Sequence, residues 1–111
     1  MSYTRDGIMA QVYVAFGQGT GAIRVSQAAA LELHRWYYNA ITDPVVLSWG
    51  TCGVQVLDRI RAIGSLAALM AIQEGSPTIT PLQVWEAAKT VQAKSDTPIC
   101  PPVPPPPPPE P

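Results

Sequence analysis

The chain has 111 residues, 47% of them hydrophobic and only 14% charged, which gives apolar surface for one small domain and few charges to cover it, a balance that favours self-association or a partner. The formal net charge is -1, from seven Lys plus Arg against eight Asp plus Glu. The basic residues are scattered, with Arg59 and Arg61 the one close pair, and this argues against nucleic acid as a partner because phosphate neutralisation needs a basic patch.

Residues 8–16 read Ile-Met-Ala-Gln-Val-Tyr-Val-Ala-Phe, a β-branched and aromatic run with a partial period of two that predicts a strand. Gly17, Gly19 and Gly21 then predict a flexible turn, after which residues 22–25 either return as the second strand of a hairpin or lead into a helix. Ser26 is a plausible N-cap, and Ala29, Leu33, Trp36, Tyr37, Ala40 and Ile41 share one helical face. Asp43 followed by Pro44 supplies a fresh cap and a first-turn proline for the next helix. Gly50 and Gly53 place a break or kink after it, although a continuous helix is also open. Val56, Ile60, Ile63, Ala67 and Met70 form a further stripe, and beyond Arg61 the segment is apolar nearly all round, as expected of a central helix.

Gly75 and Pro77 end that helix. Thr80, Pro81 and Gln83 then spell an N-cap, a first-turn proline and a capping box, with Ile79 set to staple onto Val84. Val84, Ala87, Ala88 and Val91 make the inward face of this last helix, which stops near Asp96. From Pro98 onward ten of fourteen residues are proline, a composition that predicts a disordered polyproline II tail without internal hydrogen bonds. The division is therefore 1–25 for a strand or hairpin with its glycine-rich turn, 26–96 for a helical domain and 97–111 for the tail. The fold class is mainly α: a bundle of three to four helices with an N-terminal strand or β-hairpin.

The residues that could carry chemistry are few. Residues 17–22, Gly-Gln-Gly-Thr-Gly-Ala, partly match a dinucleotide-binding turn, but no second strand ends in an acidic residue for the ribose and no Lys-Ser or Lys-Thr completes a P-loop. His34, Cys52 and Cys100 lack the close pairing of a metal site, and Cys52 with His34 is a remote nucleophile-base pair. Glu32, Asp58, Glu74 and Glu86 are spread over three helices and read as solvated surface. No catalytic residue, cofactor or metal is assigned.

Two cysteines so far apart read as thiols in a reducing compartment, with a tail-to-core disulfide as the lesser alternative. The polar start of the chain lacks the layout of a signal peptide. Residues 62–72 make about half of the roughly 20 apolar residues that a membrane-spanning helix needs, so no membrane span is expected and the cytoplasm is the expected location.

The stretch from Gly75 to Lys89, with Thr78-Ile79-Thr80-Pro81 leading into Val84 and Ala87, resembles the end of a histone-fold helix-strap-helix unit. The resemblance covers one turn and one short helix. It departs where Gly50, Gly53 and Gly64 interrupt the preceding span and where the loop lacks a basic residue, so it implies at most a pairing module that does not contact DNA.

The sequence thus points to a non-enzymatic protein-interaction or assembly module, a structural component that self-associates or meets a protein partner. The alternative is a small nucleotide- or ligand-binding subunit or enzyme using the turn at 17–21. The candidate protein-binding residues are Tyr38, the aromatic that falls outside the main stripe, and the tail residues Pro101, Pro102, Val103, Pro104 and Pro105, because aromatic grooves take preformed proline segments.

Overall fold

The computed structural model describes residues 3–94 and 103–110. Its elements are α1 (Arg5–Thr20), β1 (Arg24–Val25), α2 (Gln27–Tyr37), α3 (Asp43–Gln73), β2 (Thr78–Ile79) and α4 (Pro81–Lys94). β1 and β2 pair in parallel, Arg24 opposite Thr78 and Val25 opposite Ile79. The fold is mainly helical, and no described helix is long and apolar enough to cross a membrane.

The N-terminal strand or hairpin is not present: residues 5–20 are helical. Thr4 caps this helix by accepting the Gly7 N–H at 3.0 Å. Ile8, Met9, Val12, Ala15 and Phe16 are buried, and their spacing of one, four, seven and eight residues is a helical stripe. The period of two seen around Val12, Val14 and Phe16 misleads because Val14 points outward and is 62% exposed.

Nor does a break follow Gly50 and Gly53, since α3 runs unbroken for 31 residues. α3 packs on both α1 and α4, while α2 packs on α4. A Cβ on Gly64 would run into the Phe16 carbonyl oxygen, and one on Gly19 into the Arg61 carbonyl oxygen. These two glycines let the α1 and α3 backbones touch, and the Ser65 hydroxyl donates to the Gly19 carbonyl across the contact at 3.2 Å.

α3 ends as its sequence directs. Gly75 has φ 70, the left-handed conformation that a residue with a Cβ adopts only under strain. The Gly75 N–H reaches the Ile72 carbonyl at 3.1 Å and the Ser76 N–H the Ala71 carbonyl at 2.8 Å, closing the helix in a Schellman arrangement. The capping box of α4 is formed in both directions: the Thr80 N–H donates to Gln83 Oε1 at 2.9 Å and the Gln83 N–H to Thr80 Oγ1 at 3.4 Å.

The core joins Ile8, Val12 and Phe16 of α1, Leu33, Trp36 and Tyr37 of α2, Ile60, Ile63 and Ala67 of α3, and Ile79, Val84 and Ala88 around α4. The apolar second half of α3 is not enclosed on every side, since Leu69 is 49% and Ile72 67% exposed.

Cys52 is buried and disulfide-bonded. This corrects the reading of two free thiols; Cys100, the other cysteine of the sequence, lies outside the described residues.

Candidate functional site

The glycine segment does not form a phosphate cradle. Gly17 and Gly19 occupy the last turn of α1, the end of a helix where carbonyls rather than N–H groups are presented and the dipole is negative. The Gly17 carbonyl accepts the Gly21 N–H at 3.2 Å and the Thr20 hydroxyl at 3.1 Å.

A cavity of about 30 Å³ lies among Ile8, Tyr37, Val45, Trp49, Arg59 and Val103, room for one water molecule rather than a substrate. At its wall the buried Tyr37 hydroxyl accepts from Gln92 Nε2. Burial pushes the Tyr37 phenol well above its ordinary value, with Gln92 and Arg59 opposing the rise. Cys52, in a disulfide, offers no thiolate. Among the described residues no group of three His, Cys, Asp or Glu side chains could hold a metal ion.

Tyr38 is half-buried at the α1–α2 junction, where its ring stacks on His34 with centroids 4.5 Å apart and the Arg5 guanidinium lies 5.0 Å from its centroid. Arg5 is itself fixed by donating from Nε to the Ile41 carbonyl at 2.8 Å. Of the tail candidates, Pro101 and Pro102 lie outside the described residues, Pro104 and Pro105 are exposed, and Val103 is half-buried against the core.

The arrangement that sequence reasoning missed is the seat beneath residues 103–110. An unpacked tail was expected, yet Val103, Pro106 and Pro109 are each half-buried while the residues between them are exposed, a burial period of three. Val103 and Pro105 border a hollow with Trp36, Lys89, Gln92 and Ala93. Farther along, the Trp85 indole N–H donates to the Pro106 carbonyl at 2.9 Å, and Arg35 Nη2 donates to the Pro107 carbonyl at 2.8 Å. Pro109 and Glu110 then border a hollow with Thr80, Pro81 and Leu82 at the start of α4. The segment thus runs antiparallel to α4 and follows most of its length.

The donors of this seat are themselves held. Glu32 is 3% exposed, not on a solvated surface as expected, and its carboxylate oxygens accept from Arg35 Nη1 at 2.9 and 2.6 Å. A carboxylate so deeply buried is retained only when paired, and the pairing aims the other guanidinium nitrogen at Pro107. On α4, Lys89 Nζ lies 5.0 Å from the Trp85 ring centroid, a cation–π contact one helical turn along.

One signal for the seat is present in the sequence: Glu32 and Arg35 are spaced i, i+3 on α2, as a helical ion pair requires. Nothing local in the sequence connects that pair, or Trp85, with prolines some 20 to 70 positions away. Comparison of the chain with protein-family models, with curated proteins and with solved structures finds no match.

Proposed function

We propose that the chain is a non-enzymatic protein-interaction or assembly module whose working surface is the α2–α4 face beneath residues 103–110. The observation that carries this reading is the pair of successive carbonyls, Pro106 and Pro107, each accepting from a side chain of a different helix, Trp85 of α4 and Arg35 of α2. Proline has no N–H, so its carbonyl is its one polar handle, and indole N–H groups beside an apolar floor are a recurrent means of gripping proline-rich segments.

The conformation is best read as polyproline II. From Gln92 to Leu82 a helix rises about 15 Å, and six residue steps from Val103 to Pro109 cover that span at about 2.5 Å each, nearer the polyproline II rise of ~3.1 Å than the helical 1.5 Å. The burial period of three matches its three residues per turn. The low charge content and the exposed Leu47 and Val54, 86% and 69% accessible on one face of α3, add support for a chain that associates. The alternative, a nucleotide- or ligand-binding subunit using residues 17–21, has no comparable support because Gly17 and Gly19 lie in the last turn of α1, where carbonyls are presented, and Gly19 serves the α1–α3 contact. A disulfide at Cys52 favours an oxidising compartment over the cytoplasm as the place of work.

The test is the solution mass of the full chain by light scattering over a rising concentration series. The assembly reading expects a mass that climbs beyond one chain. A mass fixed at one chain throughout the series contradicts it.

A further inference from the structure

We infer that the α2–α4 groove is a receptor for a proline-rich segment supplied by another chain, and that residues 103–110 are its cis occupant and competitor. The inference rests on the interaction-module reading above and adds the ligand class: a polyproline II segment without basic residues, with an apolar residue at every third position, running antiparallel to α4 and ending in an acidic residue.

Four features define that ligand. The floor takes Val103, Pro106 and Pro109 and leaves the intervening residues in solvent, so only one side chain in three is read. Trp85 and Arg35 take two consecutive carbonyls, a demand on backbone rather than sequence, and one that proline meets without an N–H of its own to satisfy. The far end, where Glu110 sits beside Thr80 and Pro81, is the positive end of the α4 dipole and suits an acidic residue after the prolines. Arg35 and Lys89, both along the groove, disfavour a basic ligand of the kind that many proline-reading domains select.

The site is built before the ligand arrives. Buried Glu32 fixes Arg35, and Lys89 sits over Trp85, so little side-chain freedom is lost on binding. At the Val103 end the indole N–H of Trp36 is buried, and residues 103–110 supply it no acceptor.

Competition sets the expected behaviour. A segment tethered by a short linker has an effective concentration in the millimolar range, so a free peptide meets an occupied groove until the tether is weakened. The test titrates a fluorescein-labelled octapeptide with the sequence of residues 103–110 into the full chain and into a full chain carrying Val103→Asp, Pro106→Gly and Pro109→Gly, which alter the occupant and no groove residue. The opened variant is expected to bind the peptide about 10-fold or more tighter than the parent, and adding Trp85→Phe, which keeps the ring and removes the N–H, is expected to weaken that binding about 5-fold or more.

Circular dichroism melts of each variant establish that the domain is folded. Absence of saturable binding to the folded, opened variant overturns the inference. So does equal affinity in parent and opened variant, or binding indifferent to Trp85→Phe. If the solution mass climbs with concentration while the peptide fails to bind, the assembly reading stands and the receptor inference alone falls.

Discussion

Single side chains decide several outcomes. Thr80 and Gln83 hold each other at the start of α4, and Gln83 Nε2 also donates to Glu74 at 2.6 Å. Thr80→Ala removes one half of the box and is expected to lower stability by about 1 kcal/mol, read as a lower melting midpoint. Tyr37 makes a pH prediction. Its phenol is raised above the ordinary 10.0 by burial, so above about pH 10 the unfolded chain releases that proton while the folded chain keeps it. The unfolded state then binds fewer protons, and stability falls with rising pH from there upward, having been level through the neutral range. Melts from pH 8 to 11 should show this drop, and Tyr37→Phe should reduce it.

At the scale of elements, the glycines of α1 and α3 divide into two kinds that sequence alone does not separate. Nothing lies within 4 Å of a Cβ placed on Gly17, whereas one on Gly19 or Gly64 strikes the backbone of the facing helix. Gly17→Ala is expected to stabilise by up to about 1 kcal/mol through helix propensity. Gly64→Ala is expected to destabilise by roughly 1–3 kcal/mol through overpacking, so chemical denaturation of the two variants should move in opposite directions.

The same contrast explains what the sequence disclosed. The caps at Ser26, Thr80 and Gly75 are local chemistry and appear at those positions. The stripe of α2 through Leu33, Trp36 and Tyr37 is likewise local and forms a buried face. Helix α1 was hidden because its glycines mimic a turn, whereas one of them, Gly19, serves a contact with α3 some 45 residues away. The two-residue pairing of β1 with β2 was hidden for the same reason, as each partner is too short to carry a pattern. The candidate site was legible as a proline-rich composition and the Glu32–Arg35 spacing; Tyr38 packs on His34 and Arg5 instead, and the groove draws on α2, α4 and residues 103–110.

For the whole molecule, residues 103–110 lie against the helices, with Val103 on the core and Pro106 hydrogen-bonded to Trp85. Val103 packs against the core cluster, so Val103→Asp should lower stability by about 1 kcal/mol, a shift of roughly 4–8 °C in melting midpoint for a domain of this size. Pro108→Ala, at an exposed position, should leave the midpoint nearly unchanged.

The central claim is that residues 103–110 are held on the α2–α4 face, and the most direct measurement is solvent exchange of the Trp85 indole proton by NMR, assigned through its loss in Trp85→Phe. Exchange is expected to be slower in the full chain than in the Val103→Asp, Pro106→Gly, Pro109→Gly variant, because the Pro106 carbonyl shields and binds that proton. Equal exchange in the two proteins would contradict it.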